Sequence, residues 1–275
     1  MKIKKIFRHS KNRTAWRVLL NNESLLLIEE RDLANREVFF QCYQLASGKK
    51  MFSDLQPVNK FWAGVELFDG DIVYFHGYRK PDMPWHQGIY AYSVSKGKFI
   101  WSHPDYVFSF GEQNNLVCQK QEFESLKFYS VDKLTGELLG EIEAAESVNQ
   151  RRYIAQAHAD YSRYEFPNAY TANVLPESDM LLSTLLKQGQ TIVETLSYNG
   201  TFFYIFQETE STGLHNQWLR GVDISTGNII FNETINENQN TFLFDSFFVF
   251  SGYLITIKNK SDIIVYKLKE FVNAP

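Results

Sequence analysis

The chain has 275 residues and a net charge of −4, with 44% hydrophobic and 22% charged residues, the balance of a globular protein that buries a sizeable core. Lysine and arginine are scattered beyond the short start Lys2, Lys4, Lys5 and Arg8, so the basic stripe of a nucleic-acid binder is missing. No stretch approaches the ~18 uninterrupted apolar residues of a membrane span, no apolar signal core follows the basic start, and a cytoplasmic protein is expected.

In chain order, Lys2–His9 reads as one strand with no partner before it. Trp16–Leu20 and Ser24–Glu29 are strands joined by the turn Asn21-Asn22-Glu23. A pattern then begins that recurs along the chain: an apolar strand, a turn ending in glycine, and a second apolar strand. Its first copy is Tyr43 to Phe52 with Gly48. The pair Ala63–Phe68 and Ile72–Gly77, joined through Asp69-Gly70-Asp71, leads into the second copy, Tyr92 to Trp101 with Gly97. Phe108–Gly111 and Leu116–Gln119 lead into the third, Tyr129 to Leu139 with Gly136. Glu146–Gln188 breaks the pattern. Ile192–Ser197 and Thr201–Gln207 restore it and lead into Val222 to Phe231 with Gly227. Phe247–Phe250, Tyr253–Lys258 and Val265–Lys269 close the chain. Glycine supplies the positive φ of a tight hairpin turn, and Asp, Ser or Thr before it bonds the turn backbone. The aromatic share of 16% suits strands with pleated, half-buried faces.

Four hairpin-linked strands, repeated, are the signature of a propeller blade. The equivalent positions Tyr43, Tyr92, Tyr129, Val222 and Tyr266 lie 49, 37, 93 and 44 residues apart. A blade takes ~40–50 residues, so the long gap has room for two. The expected fold is all-β: a single β-propeller domain over 1–275, with six blades of four antiparallel strands, one of them irregular. Five blades with an inserted segment is the alternative. The N-terminal strand is expected to complete the last blade and so close the ring, which hides open sheet edges.

The hairpin Val222-Asp223-Ile224-Ser225-Thr226-Gly227, followed by a strand ending in Phe231, resembles the repeat of quinoprotein-like propellers. Val131-Asp132 with Thr135-Gly136 matches with one extra residue, and Gly97 with Trp101 matches in part. The likeness covers about four short hairpins and implies a PQQ-like or WD-like propeller. As a whole the chain resembles uncharacterised bacterial propeller families of unknown function. The calcium ligands and cysteine pair of the quinone-dependent enzymes are not seen, so no cofactor is expected. Cys42 and Cys118 read as buried free thiols.

The irregular stretch concentrates polar chemistry around Arg151, His158, Asp160, Tyr161 and Arg163. As a site, His158 with Asp160 would form an oriented acid–base pair, while Arg151 or Arg163 would grip a carboxylate or phosphate. The structural alternative is a solvated loop or a drifted blade. Two loops, each expected to precede the third strand of its blade, match each other: Pro84-Trp85-His86-Gln87-Gly88 and Leu214-His215-Asn216-Gln217-Trp218. Trp85, His86, His215 and Trp218 suit a binding rim, or else ordinary turns whose tryptophan covers the core.

The histidines at 9, 76, 86, 103, 158 and 215 show no i, i+2 or i, i+4 pair, and no CxxC occurs. No metal site is expected, with assembly across blades left open. No nucleophile elbow or phosphate loop is present, and no catalytic residue is assigned. The expected function is a monomeric, non-catalytic binding or scaffold protein for a protein partner or small ligand, without nucleic acid or membrane. The alternatives are a hydrolase or lyase working around 146–188 at the channel mouth, and a small-molecule sensor.

Overall fold

The glycines that end the repeated turns take the left-handed backbone a tight hairpin needs: φ is 69° at Gly48, 64° at Gly97, 75° at Gly136 and 69° at Gly227. Aspartates brace two of these turns. Asp132 Oδ1 accepts from Thr135 N at 2.8 Å, and from the Thr135 hydroxyl and Leu134 N at 2.9 Å. Asp223 Oδ1 accepts from the Ser225 hydroxyl at 2.6 Å, Ser225 N at 3.0 Å and Thr226 N at 3.1 Å. The Thr135 amide and hydroxyl hold the Asp132 carboxyl below its ordinary range, and the Ser225 hydroxyl does the same for Asp223.

The computed structural model describes residues 3–80, 83–123, 125–143, 145–157, 160–171 and 182–268. Most of them lie in antiparallel strands, and the chain divides into two compact units, 14–160 and 1–13 with 161–275. Strand β1 (Ile3–His9) opens the chain.

The unit 14–160 holds three four-stranded antiparallel sheets, each made of consecutive strands. The first comprises β2 (Thr14–Leu20), β3 (Leu25–Asp32), β4 (Glu37–Gln44) and β5 (Lys50–Leu55). The second comprises β6 (Ala63–Asp69), β7 (Ile72–Lys80), β8 (Met83–Ser93) and β9 (Lys98–His103). The third comprises β10 (Val107–Gly111), β11 (Asn115–Gln121), β12 (Leu126–Asp132) and β13 (Leu138–Ile142). Leu27, Val38, Phe40 and Cys42 of the first sheet meet Ala63, Val65, Val73 and Phe75 of the second. Tyr74, Ile89 and Ala91 point the other way, against Leu116, Cys118 and Val131 of the third. With both faces covered, β7 reads as the unbroken buried run Ile72–His76. Each large apolar side chain so buried contributes roughly 1.5–3 kcal/mol. Polar ties lock neighbouring sheets. Asn21 Nδ2 donates to the Gly70 carbonyl at 2.6 Å. Trp101 Nε1 and the Tyr74 hydroxyl both donate to the Lys133 carbonyl, at 3.0 and 3.1 Å. The Lys133 ammonium pairs with Asp69.

Helix α1 (Ala145–Ala157) follows. Its Val148 is buried against Phe110 and Val117.

The second unit continues with β14 (Tyr164–Glu165), β15 (Asn168–Ala169), β16 (Thr191–Tyr198), β17 (Thr201–Thr209), β18 (His215–Asp223), β19 (Ile229–Gln239), β20 (Phe247–Phe250), β21 (Tyr253–Lys258) and β22 (Asp262–Leu268). One sheet runs β15-β16-β17-β18-β19 and the other β1-β22-β21-β20-β14. Their facing side chains, among them Phe203, Leu219, Phe231, Phe247 and Leu254, form one core. The N-terminal strand does complete the last sheet: Ile3 faces Leu268 and His9 faces Ile263, with a bulge between Lys5 and Phe7.

Spacing suggests six repeats, whereas the described residues form five sheets. Among the described residues, the 93-residue gap from Tyr129 to Val222 holds β13, α1, the two-residue edge strands β14 and β15, and β16, β17 and most of β18 of one sheet. Among the described residues no helix is long and apolar enough to cross a membrane. Both cysteines are buried free thiols, and burial pushes each up to about 12.

Candidate functional site

β8 is eleven residues long and bends at Gly88, where φ is +80°. A Cβ there would lie 2.6 Å from the Tyr90 ring, so both the backbone and the space ask for glycine. The register with β7 shifts at this point: Phe75 faces Tyr90, whereas Gly77 faces Gln87. Such bulges re-aim the side chains beyond them. Gly88 N donates to the Tyr106 carbonyl at 2.9 Å, and Gln87 Nε2 donates to the Pro104 carbonyl at 2.8 Å. These bonds pin the β9–β10 connection beside the middle of β8.

A groove of about 780 Å³ opens there, within the 14–160 unit. Trp85, His86 and Gln87 of β8 form one side, with Arg79 of β7. Asp105, Val107, Gln119, Lys120, Gln121 and Leu126 form the rest of its lining. Trp85 is 59% exposed and Leu126 48%, which is high for large apolar side chains. Lys120 Nζ rests over the Tyr106 ring, 5.4 Å from its centroid. Among the described residues, no hydrogen bond or ion pair fixes the Arg79 and Asp105 side chains. The lining therefore combines an aromatic wall, amides and charges of both signs.

His86, which lines the groove, belongs to a second constellation as well. His86 Nδ1 lies 2.7 Å from Glu66 Oε1. Its ring stacks on His76 with centroids 3.5 Å apart and planes 19° apart. His76 is buried, and its Nδ1 lies 2.9 Å from the Gly77 carbonyl. Burial pushes this imidazole down to about 4 against the raising influence of Glu66. The Tyr78 ring meets both imidazoles edge-on, at 5.1 and 5.3 Å. The three residues come from adjacent strands β6, β7 and β8, and their donor atoms all lie within 4.8 Å of one another.

Of the residues singled out in the sequence, Trp85 and His86 line this groove. These segments are not loops before the third strands but parts of them, because β8 and β18 run to eleven and nine residues: His215 and Trp218 sit in β18, the third of the four long strands of their sheet, as Trp85 and His86 sit in the third strand of theirs. There the likeness ends. His215 Nδ1 contacts the Thr209 hydroxyl at 3.0 Å and its ring tilts on Phe242, while Trp218 stacks on Phe206 at 5.3 Å. Arg151 forks onto Glu112, with Nε–Oε1 2.8 Å and Nη2–Oε2 2.5 Å, and so fastens α1 to the β10–β11 turn. Arg163 Nε donates to the Ser251 hydroxyl at 2.7 Å, with its guanidinium 4.4 Å over Phe250. Tyr161 is 70% exposed, Asp160 is exposed, and His158 lies outside the described residues. The boundary between the two units falls between Asp160 and Tyr161.

Glu66, Arg79, Asp105, Gln119 and Lys120 are not singled out in the sequence, and His76 enters there only in the search for paired histidines. The signal for His76 lies in the hairpin register. Tyr78 faces His86 across β7–β8, so residue 76 is diagonal to residue 86 on the same face.

A family model described as "Domain of unknown function (DUF4905)" matches residues 20–101, from the end of β2 into β9. No curated protein matches the sequence. Among solved structures, the chain is similar to Kluyveromyces lactis Hsv2, with 8% identity over 90% of this chain and 75% of that one, and a TM-score of 0.30. It is also similar to an uncharacterized protein from Listeria monocytogenes EGD-e, with 11% identity over 96% and 84% and a TM-score of 0.32. A structure titled as the complex of KlAtg21 with the coiled coil of AgAtg16 matches with 10% identity over 93% and 66%, and a TM-score of 0.30.

Proposed function

We propose that the protein is a non-catalytic binding module that takes an extended segment of a partner protein in the groove beside β8. The observation that carries this reading is the exposed Trp85, facing amides and unfixed charged side chains across about 780 Å³. Exposed aromatic anchors beside adaptable polar groups suit protein recognition. The Gln119 amide offers a donor and an acceptor to a peptide backbone, while Gln87 and Gln121, whose amide nitrogens donate to the Pro104, Glu122 and Ser125 carbonyls, offer their side-chain carbonyl oxygens. Arg79 and Lys120 favour acidic side chains in that segment, and Asp105 fixes which way it lies. In this reading the two units are parts of one closed β-propeller of the quinoprotein-like repeat type, with five sheets as blades and β1 closing the ring.

The test is selection of peptides from a displayed random library against the purified protein, followed by affinity measurement with Trp85→Ala. Removing a central aromatic anchor typically costs about 2 kcal/mol or more, so binding should weaken roughly thirtyfold. His215→Ala should bind as the parent does. Peptides that bind Trp85→Ala equally well would refute the reading.

A further inference from the structure

We infer that Glu66, His76 and His86 form a binding site for one divalent transition-metal ion of the zinc class. Two imidazoles and one carboxylate are a donor set that suits zinc and leaves a coordination position open. Adjacent ligands of a tetrahedral ion, each about 2.1 Å from it, lie roughly 3.4 Å apart. The three donor atoms here lie within 4.8 Å of one another, so side-chain rotation of about an ångström completes the convergence.

The surroundings are already arranged for ligation. His76 is buried among its strand neighbours. With Nδ1–H donating to the Gly77 carbonyl, its lone pair resides on Nε2. A backbone carbonyl on the distal nitrogen is the usual partner of a metal-bound imidazole, since it fixes tautomer and ring orientation. Gly64 makes room for that ring: a Cβ at this position would stand 2.5 Å from His76 Nε2. Glu66 supplies the negative charge. The Arg17 guanidinium, which donates to the Val65 carbonyl at 2.7 Å and acts on His76 at longer range, opposes an incoming cation. His86 is partly exposed and lines the groove, so the ion has a route in and its open position faces solvent. Loading the site turns the two stacked rings towards a common point.

The experiment titrates the untagged full-length protein with Co(II), followed by displacement with Zn(II). One ion per chain is expected, with the visible ligand-field bands of a four-coordinate cobalt site that vanish as zinc enters. Zinc should raise the melting temperature of the parent protein. His86→Gln and Glu66→Gln should each weaken zinc binding by at least roughly tenfold, and His215→Gln should leave it unchanged. Because His86 is part-exposed, His86→Gln should melt as the parent does in the presence of a chelator. Absence of the cobalt bands in the parent protein overturns the site, whatever the variants do. So does a His86→Gln protein that binds zinc as tightly as the parent. Metal binding is read without peptide, and peptide binding can be read in chelator, so the two proposals stand or fall separately.

Discussion

Gly97 and Gly136 close equivalent hairpins with nearly the same φ, 64° and 75°, yet an added methyl would meet different surroundings. At Gly97 the nearest atom is the Tyr92 hydroxyl at 3.9 Å, an ordinary contact. At Gly136 it is Trp101 Cγ at 2.6 Å, because Trp101 of the neighbouring sheet lies on this turn and bonds to the Lys133 carbonyl. Gly97→Ala should therefore cost only the left-handed backbone, roughly 1–2 kcal/mol. Gly136→Ala adds an overpacking cost of roughly 1–3 kcal/mol. Chemical denaturation of both variants checks the difference, and equal losses would contradict the packing of Trp101 on that turn. Residue chemistry also explains what was legible at the site. Trp85 and His86 stand out because 84–88 and 214–218 share a histidine, an amide side chain and a tryptophan. His76 does not, because its five-residue run is apolar on both sides and its partner is ten positions away. Arg79, Asp105 and Lys120 look like any surface charges until the β8 bulge brings their segments together.

At the scale of elements, hairpins were readable and the connection between the units was not. The turns carry local chemistry, glycine with Asp, Ser or Thr, and local chemistry is visible in sequence. Helix α1 has a weak apolar stripe. Val148 is buried on β10 and β11, whereas Tyr153 and Ile154 are exposed, so its sequence resembles a polar loop. What holds it is Arg151 on Glu112 and Arg152 on the Ser109 hydroxyl at 2.8 Å, pairings between distant positions. The strands β14 and β15 are two residues each and exist only as edges for β20 and β16. Strand β1 is the opposite case, since a lone strand at one end and a three-stranded sheet at the other predict their pairing. Deleting residues 1–9 should remove the β1–β22 ladder and the Arg8–Asp262 ion pair, leaving Ile263, Ile264 and Val265 on an open edge. A lowered melting temperature and concentration-dependent association are expected. A truncated protein that melts and sediments as the parent does would refute a structural role for β1.

At the scale of the whole molecule, repetition made the fold class legible and obscured the number of repeats. Each sheet is assembled from consecutive hairpins, so its strands follow from sequence order alone. Spacing cannot separate a degraded blade from a helix with two edge strands, because both fill the same length of chain. Function follows a similar division. Repetition builds the sheets, and the groove arises where one sheet departs from it, at the Gly88 bulge and the pinned β9–β10 connection. Hydrogen exchange followed by mass spectrometry, with and without a library-selected peptide, tests this most directly. Binding in the groove predicts slowed exchange confined to Trp85–Gly88, the 104–107 connection and the end of β11. Protection centred on β18 around His215, or on 160–169, with the β8 segment unchanged, would contradict it.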